Sequence, residues 1–353
     1  MNGPANTPAG PPRVDREHPY LGLEYFREED SVYFFGRARE IAEISRFVQR
    51  GVLTVLFGKS GLGKSSLINA GLCPLLREKN FLPVPIRVSC GKDAEDLLAQ
   101  IKRNLAGAIS ACCVETPPPG DDQSLWEYLH RTPFWSEKLR PLMPVIILDQ
   151  FEEVFIHGSE DSSLKSVLEL LADVIENRIP ERLRDRLDET GETLPFNYEI
   201  PKAKVIISLR KDYLSDLEDL KHSMPSVMRN RYHLKQMSES QALDAVLEPA
   251  KHLLTRDVAL EIVRFVASGK ASGSEVAVRH GEAAVEPAIL SLFCRELNNR
   301  RIEQGLPGIT MELMEVSRSG IIADFYRRGI GDMGPGVRKL FEDELLTGSG
   351  YRS

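Results

Sequence analysis

The chain has 353 residues, of which 42% are hydrophobic and 27% charged, and its formal net charge is -7. That balance is globular and excludes wholesale disorder. The length suits about two domains with part of a third, and the excess of acid argues against a broad nucleic-acid surface, though not against a local basic cleft. No apolar run approaches the ~18 residues that cross a bilayer, and residues Met1–Pro12 lack the apolar core of a secretory signal. The cysteines Cys73, Cys90, Cys112, Cys113 and Cys294 form no C-x-x-C pair. Reduced thiols in a cytoplasmic protein are therefore expected, with neither zinc nor disulfides.

The Pro-, Gly- and Ala-rich start reads as a flexible tail over residues 1–18. Ile41, Ile44, Phe47 and Val48 then recur at helical spacing until Gly51 breaks the pattern. Val52–Phe57 reads as a strand and Ser65–Ala70 as the helix after it. Further on, Val84–Val88 predicts a strand, Ala94–Ile109 a helix, and Val145–Leu148 a strand buried on both faces. Leu164, Val167, Leu168, Leu171, Val174 and Ile175 form the stripe of an amphipathic helix, and Lys204–Leu209 is another β-branched run. Strands alternating with helices predict an α/β fold: a parallel sheet with helices on both faces. The charge run Arg182–Thr193 reads as a solvated, mobile insertion.

From Ser238 the pattern becomes helical. Ser238 and Gln241 make an S-x-x-Q capping box, and Leu243, Val246 and Leu247 give the helix its apolar face. Ala259–Val266 and Ile289–Leu297 continue as helices across a polar loop, Ser268–Ala284. Val337–Leu346 reads as a last helix, opening a domain that is not completed, so the chain reads as a fragment of a longer protein. The expected division is residues 1–18 tail, 19–237 α/β domain, 238–335 all-helical domain and 336–353 the start of a truncated domain.

Gly58-Lys59-Ser60-Gly61-Leu62-Gly63-Lys64-Ser65 fits G-x-x-x-x-G-K-[ST] at every fixed position. A polyphosphate needs many donors close together, and glycines let backbone N–H groups turn inward without side chains in the way. Over Gly58–Ser66 the following helix adds its partial positive end. Lys64 is expected to reach the β/γ-phosphates and Ser65 to take one Mg²⁺ position. Such a loop needs a carboxylate at the tip of a neighbouring strand to hold the metal, and Asp149, directly after Val145–Leu148, supplies it. Either Glu152 or Glu153 would orient the attacking water, with Glu153 favoured. Arg210, at the end of a third buried strand, is placed to sense the γ-phosphate and stabilise its charge.

Together these stretches resemble the STAND NTPases, signal-transduction ATPases with numerous domains, and most closely the bacterial novel STAND type 1 family. Pro19–Phe26 and Phe34-Phe35-Gly36-Arg37 look like its N-terminal signature, Gly58–Leu72 like its P-loop and helix, and Leu148–Phe155 like its acidic box. Ser208–Tyr213 resembles its sensor-arginine segment, Val285-Glu286-Pro287 its proline motif, and Leu345–Arg352 the opening of a winged helix. The resemblance implies that Gly36 and Arg37 lie against the nucleotide, that Pro287 touches the base, and that the ATP state tends to oligomerise and act on a downstream effector. The chain departs from many related ATPases at Gln150, where they carry an acid, and at Val285, where relatives often carry glycine.

The expected function is a nucleotide-controlled signalling switch that binds ATP and Mg²⁺ between its two domains and hydrolyses ATP slowly to reset. No guanine-reading N-K-x-D segment competes with the ATP assignment. Two rivals are a scaffold that holds nucleotide without cleaving it and a metabolic P-loop phosphotransferase. A third, a DNA-binding regulator, would use the winged-helix start.

Overall fold

The computed structural model describes residues 13–90, 94–120, 123–157, 162–191, 193–268, 284–318 and 320–321. The expected last helix and winged-helix opening, most of the N-terminal tail and most of the Ser268–Ala284 loop lie outside these residues. The chain divides into two compact units. One comprises Met1–Gly10, Ala38–Ser60 and Lys64–Lys235; the other comprises Pro11–Arg37, Gly61–Gly63 and Gln236–Ser353.

Among the described residues the first unit has five strands: β1 (Leu53–Gly58), β2 (Phe81–Arg87), β3 (Met143–Asp149), β4 (Lys204–Arg210) and β5 (Arg231–His233). Their spatial order is β2-β3-β4-β1-β5, and every pairing is parallel. β3 and β4 are buried along nearly their whole length, which explains why they read as unbroken apolar runs: helices cover both faces. Trp126, Tyr128 and Phe151 are the largest side chains wholly enclosed in this core. The strand β2 forms one border of the sheet and carries Pro83 and Pro85.

Two expectations change. The aspartate strand is not the neighbour of the loop strand, because β4 lies between β3 and β1. The run Arg182–Thr193, expected as a solvated, mobile insertion, is mostly exposed but largely helical: Glu181–Thr190 is a helix, entered from Pro180 and closed by Gly191 at φ +67°. Leu183 is buried and Leu187 packs beside it on the core, so two apolar residues one turn apart secure an otherwise charged helix.

In the second unit the capping box forms as expected. Ser238 Oγ accepts from Gln241 N at 3.3 Å, and Gln241 Oε1 accepts from Ser238 N at 3.0 Å, opening the helix Glu239–Leu247. Helices Arg256–Ala267, Pro287–Glu303 and Met311–Ser317 follow it. The N-terminal segment, which the sequence reading groups with the α/β domain, packs here. Tyr20 donates its hydroxyl to Val246 O at 2.7 Å, Asn298 Nδ2 donates to Glu17 O at 2.7 Å, and the buried Arg301 pairs with Glu17 at 2.8 Å. The five cysteines are free thiols. Among the described residues no helix is long and apolar enough to cross a membrane.

Asp173, on the helix Ser162–Glu176, offers a pH test. Burial is the main cause that lifts its carboxyl from 3.8 to about 6, opposed by Arg178 and Arg184. The folded state therefore holds this proton more tightly than the unfolded chain. The associated stability is complete below pH 3.8 and is lost as pH rises through about 6. Asp173→Asn is expected to stabilise the protein at pH 7.5 by up to about 2 kcal/mol. The gain should shrink towards zero near pH 4, as read by urea unfolding of variant and wild type at both pH values.

Candidate functional site

The octet leaves β1 at Gly58 and enters a helical run at Lys64. Gly61 and Gly63 adopt φ of +77° and +82°, values that side-chain-bearing residues avoid. These two turns let the loop coil tightly while Leu62, between them, is buried. The helical run is α at Lys64–Ser66, π-helical at Leu67–Leu72 and α again at Cys73–Glu78. The sequence predicts the helix but carries no signal for its wider middle turn.

Lys64 folds back over the loop, and its ammonium donates to the carbonyls of Gly58 and Lys59, each at 3.1 Å. Burial is the largest influence on this group and pulls its pKa below the usual lysine value. The charges of Glu152 and then Asp149 oppose that pull.

Asp149 is buried at the tip of β3 and has a partner for each oxygen. Ser65 Oγ donates to Oδ2 at 2.5 Å, and Ser208 Oγ donates to Oδ1 at 2.7 Å. The strand order explains the reach. Leu148 lies opposite Ile207, which sets Asp149 beside Ser208, and Ser208 lies opposite Leu56, two positions before Gly58. The loop turns at Gly61 and Gly63, and Ser65 reaches Asp149 across the intervening β4. A hydroxyl and a carboxylate converging in this way are hard oxygen donors, few in number. That suits Mg²⁺, which keeps most of its own waters and shares phosphate oxygens. Among the described residues no cluster of three His, Cys, Asp or Glu forms a separate metal centre.

The two glutamates separate. Glu152 is buried and accepts from the backbone N–H of Arg210 at 3.1 Å. Glu153 is turned towards His157, at 3.4 Å one helical turn away. It is Glu152 that acts on Lys64. Gln150 sits at φ +60°, and its amide oxygen accepts from Arg87 Nε at 2.8 Å. Arg210 lies opposite Gly58 in the β1–β4 register. Its guanidinium pairs with Asp212 at 2.7 Å and lies over the Tyr213 ring, 5.6 Å from its centre.

Within the second unit, Gly36 has φ +84° and lies so close to the Gln241 carbonyl that any Cβ would collide with it. Arg37 is buried, and its Nη2 donates to Leu62 O at 3.3 Å. Pro287 is the first residue of its helix, and the next residue, Ala288, is the neighbour of Gly61: a Cβ built on Gly61 would lie 3.4 Å from Ala288 Cβ. Lys59 and Ser60 are exposed at the loop's rim, and Ser66 is buried below it.

Lys64, Ser65, Asp149, Glu152 and Arg210 are thus brought together, while Glu153 faces elsewhere. Ser208 is the residue that motif reading passes over. Its signal was a hydroxyl inside an otherwise apolar strand, two positions before Arg210 and hence on the same face.

A parallel sheet with a glycine-rich loop after β1 and an acidic tip on β3 defines a P-loop NTPase. The chain belongs to the novel STAND NTPase 1 family, whose model matches residues 19–265. Comparison with curated protein sequences gives no match. Among solved structures, the Aeropyrum pernix ORC2 protein, in its ADPNP-ADP complexes, is similar at 12% identity and a TM-score of 0.53, with 98% of this chain and 87% of that one covered. Cdc6p from Pyrobaculum aerophilum matches at 16% identity and a TM-score of 0.48, over 80% of this chain and 66% of its own length. The Aeropyrum pernix ORC1 protein in complex with DNA matches at 16% identity and 0.47, over 90% and 73%. These likenesses concern the fold alone, and the ORC2 protein carries that argument.

Ser208→Ala removes one of the two donors to a buried carboxylate. It is expected to raise the Mg²⁺ concentration needed for half-maximal nucleotide binding by about fivefold. Metal titrations of the variant with bound fluorescent ADP measure this.

Proposed function

We propose that this chain is a nucleotide-controlled switch of the STAND type that binds ATP with Mg²⁺ and hydrolyses it slowly to reset. The observation supporting this most directly is the meeting of Lys64, Ser65 and Asp149 at the mouth of the octet. The N–H groups of the loop would receive the phosphates. Lys64 would exchange the carbonyls of Gly58 and Lys59 for β- and γ-phosphate oxygens. Ser65 and Asp149 would hold Mg²⁺, which supplies charge neutralisation of the phosphates. Arg210, level with Gly58, would sense the γ-phosphate. Glu152 is proposed over Glu153 for orienting water, since Glu152 is buried against the backbone of Arg210 whereas Glu153 is turned towards His157. Gly36, Arg37 and Pro287 are assigned to the adenosine side.

A loop whose conformation follows its γ-phosphate load is the bistable element that a nucleotide switch requires. Oligomerisation in the ATP state, downstream effector or sensor partners and a cytoplasmic setting belong to the same reading.

Gln150 supports slow chemistry, because an amide held by Arg87 cannot accept a proton from water. The same observation favours a second reading, a scaffold that holds nucleotide without cleaving it. Phosphate release from the wild type, Glu152→Gln and Glu153→Gln separates the two. The switch predicts slow release that falls at least tenfold in Glu152→Gln and changes little in Glu153→Gln. Equal, near-zero release from all three supports the scaffold. Lys64→Ala is expected to weaken ATP binding by about a hundredfold. Wild-type affinity in that variant, measured by calorimetry, would remove the octet from the nucleotide site. Gel filtration with ATP and with ADP tests the assembly state.

A further inference from the structure

A loop that aims its N–H groups at one point must turn its carbonyls outward, and each buried carbonyl then needs a donor. Gly58 and Lys59 find theirs in Lys64. The Leu62 carbonyl lies between the two left-handed glycines, on a residue only 5% exposed. Its donor is Arg37, 2% exposed, at 3.3 Å. Arg37 is itself anchored. It follows Gly36, whose backbone rests against the Gln241 carbonyl, and Gln241 closes the capping box that opens the helix Glu239–Leu247. A continuous line of contacts runs from that helix through Gly36 and Arg37 to the middle of the octet.

We propose that Arg37, besides facing the adenosine side, is a positioning residue that braces the Leu62 carbonyl and so holds the octet in its phosphate-receiving form. The proposal rests on the octet being the phosphate site. It makes phosphate affinity depend on a side chain tied to the capping-box helix, so that strain at the helix start would loosen the loop.

The test uses the full chain and two probes, ADP and inorganic tripolyphosphate, the second having no nucleoside. Binding is measured by calorimetry for the wild type, Arg37→Ala, Arg37→Lys and, as reference, Lys64→Ala. Loss of the brace leaves a buried carbonyl unpaired, and Arg37→Ala is expected to weaken tripolyphosphate by about tenfold and ADP by at least as much. Arg37→Lys keeps a charged donor and should recover to within about threefold of wild type. Hydrogen exchange in a peptide spanning Ser60–Ser65 of nucleotide-free protein should also speed up in Arg37→Ala and not in Arg37→Lys. If Arg37→Ala does not fold, Arg37→Gln replaces it with the same expectations. A loss confined to ADP would restrict Arg37 to the nucleoside and overturn the brace, as would unchanged affinity for both probes in a folded variant. Retained affinity in Lys64→Ala would overturn the site reading and the brace together, whereas retained affinity in Arg37→Ala alone defeats only the brace.

Discussion

The structure turns on one carboxylate. Asp149 is withdrawn from solvent at the end of β3, where an unsatisfied carboxylate would cost several kcal/mol. Two serine hydroxyls on separate elements meet that demand: Ser208 from the intervening strand and Ser65 from the first turn after the loop. To reach it, the loop must bend back over β4, and the two glycines with positive φ allow the bend. The strand order, the shape of the loop and the place of Ser208 are thus linked through a single acidic group.

Much of this was legible in the sequence because the signals were local. The octet, the apolar run ending in Asp149 and the capping box at Ser238 each declare their chemistry within eight residues, and the structure forms all three elements as read. The strand β3 also identifies itself, since nothing polar interrupts Val145–Leu148. The tip of β4 was half-read: Arg210 drew notice as a charge at a strand end, while Ser208, being small and neutral, did not.

What escaped was set by contacts distant in the chain. Nothing near Asp149 says that β4 comes between it and β1; sheet order arises from how crossovers pack. The segment around Tyr20 joins the helical unit through bonds to Val246 and to residues near 300, separations of more than 200 residues that no periodicity reveals. The helix Glu181–Thr190 was hidden by its own charge, two leucines against many ionised groups. The glutamates at 152 and 153 differ only in the direction each takes from a short helix, which a one-residue offset decides.

The prolines of β2 have a consequence for assembly. Pro83 and Pro85 share a side of the strand, because backbone groups alternate along it, and that side is the border turned away from β3. Lacking N–H groups there, β2 cannot template an incoming strand from another molecule. At the opposite border, β5 offers only three residues. A second copy meeting the β2 border would therefore be held there by side chains, without extending the sheet into a continuous ribbon.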